Sequence, residues 1–404
     1  MHSKLGWIRF DTKEYDLAAE ARALLTTPGA RDELGLGGIR DRFADAMFPG
    51  TSTIQTRMRY ALFVAWTYNE LRHKPAADII RDGRAEEIAM IKRLQQGGAG
   101  TGIIGARAGE ELVRLPSMSY WTLLQNWRKQ EAGENALPSR STWLAMTPRA
   151  RELTPLLLSN APRCQLKKSM TFELEGQEID YFRRCLRERE ADEPKSLFHE
   201  LLTGTAEVSS ENPTLIDIEG GSARNRIILE RAQAFSSITA GASLAYNILL
   251  LRKRLQSADR KGGSKTGSEA LLPDSDEQLL DERETDWENW KKTNRVKNAK
   301  LIEDREFFNL PNCTSEERAI QFTRTWASKA TSIKDADEVK GIIAKREEVL
   351  KGTTQRRFSS ARALARWGGA SDIHPASYRW ATAHRFLLDL RADGLNRPIP
   401  AVAS

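Results

Sequence analysis

Apolar residues recur at helical spacing along most of the chain. Ile39, Phe43, Ala46 and Met47 fall at i, i+4, i+7 and i+8 and stop at Pro49-Gly50, which predicts a helix ending there. Ile54, Met58, Ala61, Leu62 and Ala65 predict the next helix over about Thr53 to Leu71, before Pro75. Ile79, Ile80, Ile88, Ile91 and Leu94 predict one over Asp78 to Gln96, and further helices are read over Ser117–Gln130 and Phe235–Leu255. Beyond them come Asp276–Lys300, Ser315–Lys329, Val339–Lys351 and Ser359–Trp367. Strand-like alternation is scarce, with Met170–Leu174 and Thr214–Ile218 the best candidates. The expected class is mainly α, a multi-helix chain of two or three domains with minor β.

One segment challenges the reading of a chain folded in water. Ala232 to Leu251 is uncharged for twenty residues, long enough to span a bilayer. It carries six polar side chains that lipid would leave poorly satisfied, and Ala240-Gly241-Ala242 favours close packing on neighbours. A buried core helix is the preferred reading, with no membrane partner and a cytoplasmic location.

Composition then narrows the classes. The 404 residues are 40% hydrophobic and 29% charged, polar but sufficient for cores, so wholesale disorder is excluded. Cys164, Cys185 and Cys313 form no CxxC pair and have no histidine at ligand spacing, which excludes a disulfide scaffold and offers no metal site. The formal charge is +7, unevenly spread. Residues 291–404 hold 22 Lys and Arg against 13 Asp and Glu, whereas residues 255–290 hold 4 against 10. A basic third behind an acidic stretch points to nucleic acid and equally to an acidic protein partner.

The Gly/Ser/Lys-rich run Lys261–Ser268 marks the clearest seam, and a weaker one lies near Thr147–Arg163. The expected organisation is an N-terminal helical domain over 1–160, a central helical segment over 161–256, a flexible linker over 257–275 and a basic helical region over 276–404.

Several motifs fail their context tests. Gly100-Thr-Gly-Ile-Ile-Gly105 spells a dinucleotide fingerprint but follows a helix instead of a strand, so it reads as a helix-to-helix loop. The Gly-Ser-Lys-Thr of the linker is not a Walker loop, for want of the flanking strand and helix. Asp41 and Asp45 stand at i, i+4 as a metal-site pair, but interleaved Arg40 and Arg42 favour a solvated charged face. Glu338-Val-Lys340 echoes a nuclease element without a strand-borne Asp. No complete catalytic constellation is present, so catalytic residues stay unassigned, no cofactor is implied, and a metal-dependent nuclease is only a remote alternative. Trp121, Trp127 and Trp143 lie beside cations as base-stacking candidates, although aromatics at helical spacing are more often core.

The most informative stretch is Pro49-Gly-Thr-Ser-Thr-Ile-Gln-Thr-Arg57. Ser52 with Gln55 three residues on has the form of a capping box, which satisfies backbone N–H groups at a helix start. The functional reading is an anion site in which Thr51, Ser52, Thr53, the helix amides and Arg57 hold a phosphate. Arg59, about 200° around the same helix, would face away. Arg356, Arg357 and Arg362, in a polar Arg-dense stretch, are the further candidate phosphate contacts.

Gly38-Ile-Arg-Asp41, Met47-Phe-Pro-Gly-Thr-Ser-Thr-Ile-Gln-Thr-Arg57 and Tyr60 resemble a bacterial family known as a domain of unknown function, with an "IRD…LFPGTSTIQTRARY" signature. Met47 stands for the usual Leu and Met58 for the usual Ala. The resemblance continues at Ile104-Gly105, Leu115-Pro-Ser117 with Tyr120-Trp121, and Trp367-Gly-Gly-Ala370 with Tyr378-Arg-Trp380. It implies a place in defence-type genomic islands, beside helicases or methylases, and carries over no catalytic residue. The resulting expectation is a non-catalytic component of an anti-phage defence assembly that binds nucleic acid, DNA first, with helicases or other defence proteins as partners. The alternative is a protein-interaction adaptor.

Overall fold

The computed structural model describes residues 32–127, 137–157, 161–164, 166, 169–190, 194–210, 214–259, 273–310, 313–369 and 376–391. The chain is mainly helical, with one small two-stranded sheet. It divides into two compact units, one of residues 41–229 and 377–404, the other of residues 1–40 and 230–376. Residues 260–272 of the expected linker lie outside the described residues, while 257–259 and 273–275 belong to the helices on either side.

Helix α1 (Gly37–Met47), whose first four residues belong to the second unit, leads into the first and ends before Pro49-Gly50 as its pattern requires. Next come α2 (Tyr60–Leu71), α3 (Ala76–Gln96) and α4 (Pro116–Trp127). Then follow α5 (Arg140–Ala145), α6 (Pro148–Glu152), α7 (Gly176–Arg189) and α8 (Leu197–Thr203). Strands β1 (Ala206–Val208) and β2 (Ile218–Gly220) pair antiparallel. Every residue from Tyr60 to Tyr68 is buried, because α2 is apolar on all sides and packs between α3 and α4. The stacking candidates belong to this core. Trp121 and Trp143 meet with ring centres 5.5 Å apart. Their indole N–H groups donate to the carbonyls of Pro138 and Thr154, and that of Trp127 to Pro49, at 2.9–3.0 Å. Large aromatic area is spent on packing and each polar tip is satisfied.

The second unit is built on α9 (Ala223–Asp259), whose first residues still belong to the first unit. It continues through α10 (Pro273–Lys291), α11 (Arg295–Glu303), α12 (Glu317–Ala330), α13 (Lys340–Gln355) and α14 (Ala361–Ala365). Helix α9 is long and apolar enough to cross a membrane, yet 83% of its most apolar stretch is buried within the protein. Gly241 explains the run of small residues. A Cβ there would sit 2.1 Å from the Trp290 ring, whose Nε1–H donates to Ser237 O at 2.7 Å. The chain re-enters the first unit for α15 (Trp380–Leu390).

Four local expectations are corrected. Helix α2 starts at Tyr60 instead of Thr53, because the amides of Thr56 and Arg57 are taken by the Tyr120 hydroxyl at 2.8 and 3.0 Å. The helix expected over Asp276–Lys300 breaks at Asn294, where the Thr293 N–H and hydroxyl both turn back onto Trp290 O. Met170–Leu174 pairs with no strand; the Met170 amide donates to Arg93 O, and Thr171 O accepts from Arg59. In Thr214–Ile218 a 3₁₀ turn precedes β2, capped by Thr214 and Asp217.

Candidate anion-binding residues

Residues 48–59 form a series of turns in which several backbone groups find specific partners. Gly50 has φ +78°, and a Cβ there would meet the Asn126 and Leu123 atoms of α4 at 3.0–3.2 Å. Only glycine meets both demands. Thr51 is buried, its hydroxyl donating to Phe48 O at 2.7 Å. Gln55 is buried too. Its Oε1 accepts the Ser52 N–H at 2.9 Å, while Nε2 donates to Gly50 O at 3.2 Å and Ser119 O at 2.9 Å. Half of the expected capping box is therefore present, but it closes a turn. The cap residue of α2 is Arg59, which makes no side-chain cap. Thr53 is exposed, and the Thr56 hydroxyl donates to Gly102 O at 2.6 Å, tying in the glycine-rich loop.

The arginines of this segment face inward. Arg57 is bidentate to Asp389 of α15, with Nε at 2.9 and 3.1 Å and Nη2 at 2.7 Å, and the Met58 amide donates to the same carboxylate at 2.8 Å. The Arg57 guanidinium also lies over the Phe172 ring at 5.0 Å. Burial holds the Asp389 carboxyl above the usual range, the guanidinium and amide pulling against it. Arg59 does not point away into solvent: it bonds Glu178, fully buried, at 2.9 Å and Thr171 O at 3.1 Å. With no helix over 53–59, the expected opposition of the two arginines lapses. Arg379 bridges Asp41 at 3.1 Å and Asp45 at 2.6 Å and donates to Thr51 O. That carboxylate pair serves an ion-pair cluster, and no group of three or more potential metal ligands gathers among the described residues.

The second set of candidates is split. Arg357 was expected on the surface with its neighbours and is buried instead. Its guanidinium pairs with Glu33 at 2.7 Å and the Tyr246 hydroxyl at 2.9 Å, within a network holding Lys351 and Glu347. Tyr246 donates to Glu347 at 2.7 Å, and the amides of Arg357 and Phe358 donate to that same carboxylate. The polar stretch turns inward here because Glu33, Tyr246 of α9 and Glu347 of α13 supply buried acceptors. Arg356 is half-buried and pairs with Glu348 at 3.0 Å. Arg362 is exposed.

Sequence reasoning missed one polar cluster entirely. Glu87 is fully buried in α3 and accepts from the Tyr68 hydroxyl at 2.8 Å, the Ser117 hydroxyl at 2.7 Å and the Ser117 amide at 2.6 Å. Arg140 donates to Ser117 Oγ at 2.9 Å and Tyr68 Oη at 3.0 Å. Burial pushes Glu87 above the carboxylate range and Tyr68 up to about 12. Glu87, Tyr68 and Ser117 are closed to solvent, so the cluster joins three helices and offers a substrate no approach. A helical period hides it, because Glu87 occupies a core position while reading as surface.

Cations left to meet a ligand remain in both units: Lys92, Arg107, Arg114 and Arg187 of the first are exposed without a described carboxylate partner, and a larger set lies in the second. Lys300, Arg318, Lys329, Lys334, Lys340, Arg362 and Arg366 are exposed, and none is ion-paired with a described carboxylate. Residues 2–394 match the family described as "Family of unknown function (DUF6361)". No curated protein and no solved structure matches the chain.

Proposed function

The chain belongs to this family of unknown function, DUF6361, and we propose that it is a non-catalytic, nucleic-acid-binding component of a bacterial anti-phage defence-type assembly, acting in the cytoplasm beside helicases or other defence proteins. The observation that carries the reading is the set of exposed cations of the second unit that have no described carboxylate partner, Lys300, Arg318, Lys329, Lys334, Lys340, Arg362 and Arg366. Cations held by carboxylates have little left for phosphate, whereas unpaired ones release counterions on binding. Of the sequence candidates, Arg362 retains that capacity, while Arg57 and Arg357 are committed to Asp389 and Glu33.

The test is the salt dependence of full-length chain binding to a labelled DNA duplex. Log affinity should fall linearly with log salt, by about 0.9 for each phosphate contacted. Arg362→Glu with Arg366→Glu should weaken binding without unfolding the protein. Affinity indifferent to salt and to that variant would overturn the reading. The adaptor alternative draws on α10, whose exposed Glu277, Asp281, Glu282, Asp286 and Glu288 suit a basic protein surface. Capture of a basic partner by the wild type but not by a Glu277→Gln, Asp281→Asn variant, with no DNA binding, would favour it.

A further inference from the structure

The C-terminal part of α9 and the start of α13 border a groove of about 400 Å³ in the second unit. Leu249, Arg252, Lys253, Gln256 and Ser257 fall at i, i+3, i+4, i+7 and i+8, so one face of α9 forms a wall. Lys340 and Ala344, one turn apart, come from α13, and Phe358 contributes a half-buried ring. This volume lies in the range of small-ligand sites, about 300–1,000 Å³.

The charges along the groove are unequal. Arg252 is fully engaged, by Asp337 at 2.6 Å, Asp335 at 2.9 Å and Glu284 at 2.8 Å. Lys253, by contrast, donates only to the carbonyls of Arg357 and Phe358 and has no described carboxylate partner. Lys340 is exposed and likewise unpaired. Burial, and then the Lys340 ammonium, hold Lys253 below the ordinary lysine value, with Glu347 acting the other way. Two like charges thus face one space without an anion between them. An anion there would relieve the repulsion. Asp337, which lines the same groove, is itself paired with Arg252.

We propose that this groove binds a phosphate ester, its oxygens between Lys253 and Lys340 and its nucleoside against Phe358. The identification of that ester as one phosphodiester of a bound strand rests on the nucleic-acid reading above. An aromatic face beside paired cations is the arrangement by which single strands are held, with the base stacked and the backbone neutralised.

The experiment measures binding of a fluorescein-labelled single-stranded oligonucleotide to the full chain across salt, in competition with AMP and with inorganic phosphate. Lys253→Gln combined with Lys340→Gln should lower affinity at least tenfold and reduce the magnitude of the salt slope by about 0.7, one phosphate contact on a single strand. Lys253→Arg should keep most of the affinity. If loss of the two carbonyl contacts unfolds the double variant, Lys340→Gln alone, at an exposed position, should weaken binding and reduce the slope by part of that roughly 0.7. Oligonucleotide binding that is unchanged in these variants overturns the site and leaves the nucleic-acid reading standing. If the wild type binds no oligonucleotide, that reading fails; AMP or phosphate binding lost in the variant then supports the groove as a free-nucleotide site. Absence of all three kinds of binding overturns the groove.

Discussion

The Phe-Pro-Gly segment and the Lys253–Lys340 groove both carry cations beside polar side chains, yet their charges are resolved in opposite ways. Arg57 and Arg59 each meet a buried carboxylate, Asp389 and Glu178, and a backbone group beside it. Lys253 and Lys340 meet carbonyls or solvent. A motif dense in hydroxyls and arginine looks like a ligand site in one dimension. Whether it is one depends on whether the fold delivers acids to it, and α15 and α7 deliver them to the first segment. Ionic residues inside a unit cost desolvation and are tolerated only when geometry returns it, so their loss is felt mainly as instability.

The largest effect separating the two regions follows from that. Arg57→Gln should destabilise the protein by about 3–5 kcal/mol, since it leaves the buried Asp389 carboxylate without its cation. Chemical denaturation of the variant measures this. A stability within about 0.5 kcal/mol of wild type would mean that Asp389 needs no partner. Arg357→Glu should be similarly severe, by placing a second acid against Glu33, so that combined reversal of Arg356, Arg357 and Arg362 reports unfolding before it reports affinity.

A smaller contrast lies within the Phe-Pro-Gly turns. Gln55→Ala removes one accepted and two donated hydrogen bonds at a buried site and should cost about 1–3 kcal/mol. Ser52→Ala should change stability by less than about 0.5 kcal/mol, because the amide and carbonyl of Ser52, and not its hydroxyl, carry its recorded bonds. The reverse ranking in urea midpoints would restore Ser52 as the cap.

The smallest effect is a pH dependence in the second unit. The Arg252 guanidinium holds Asp335 down to about 2. A carboxylate lowered by folding stabilises above its unfolded value, about 3.9, and loses that contribution as pH falls toward 2. Asp335→Asn should therefore be less stable than wild type at pH 7, by up to about 1 kcal/mol for this half-exposed pair, and the difference should vanish near pH 2. A difference that persists there would assign the effect to Asp335 as a turn cap.

The helical class was legible because burial imposes its period on sequence. Examples are the α1 stop at Pro49-Gly50, the core placement of Trp121 and Trp143, and the tight seat for Trp290 at Gly241. The site was legible only in part. Thr51, Ser52 and Arg57 stand out as a string, but Tyr120 and Asp389, which fix Arg57, and Thr382, which bonds Ser52, lie 63 to 332 residues away, and no local spacing announces them. Helix α15 went unread, although it supplies the carboxylate that decides what Arg57 does. The groove was equally hidden, since Lys253 lies at the end of an apolar helix and Lys340 almost ninety residues on.

The most direct test measures unfolding midpoint and oligonucleotide affinity together, in Arg57→Gln and in Lys340→Gln, under conditions where both variants are folded. The account predicts a large loss of stability with affinity retained in Arg57→Gln, and retained stability with weakened, less salt-dependent binding in Lys340→Gln. An Arg57→Gln protein as stable as wild type that binds more weakly, beside a Lys340→Gln protein with unaltered affinity, would contradict it.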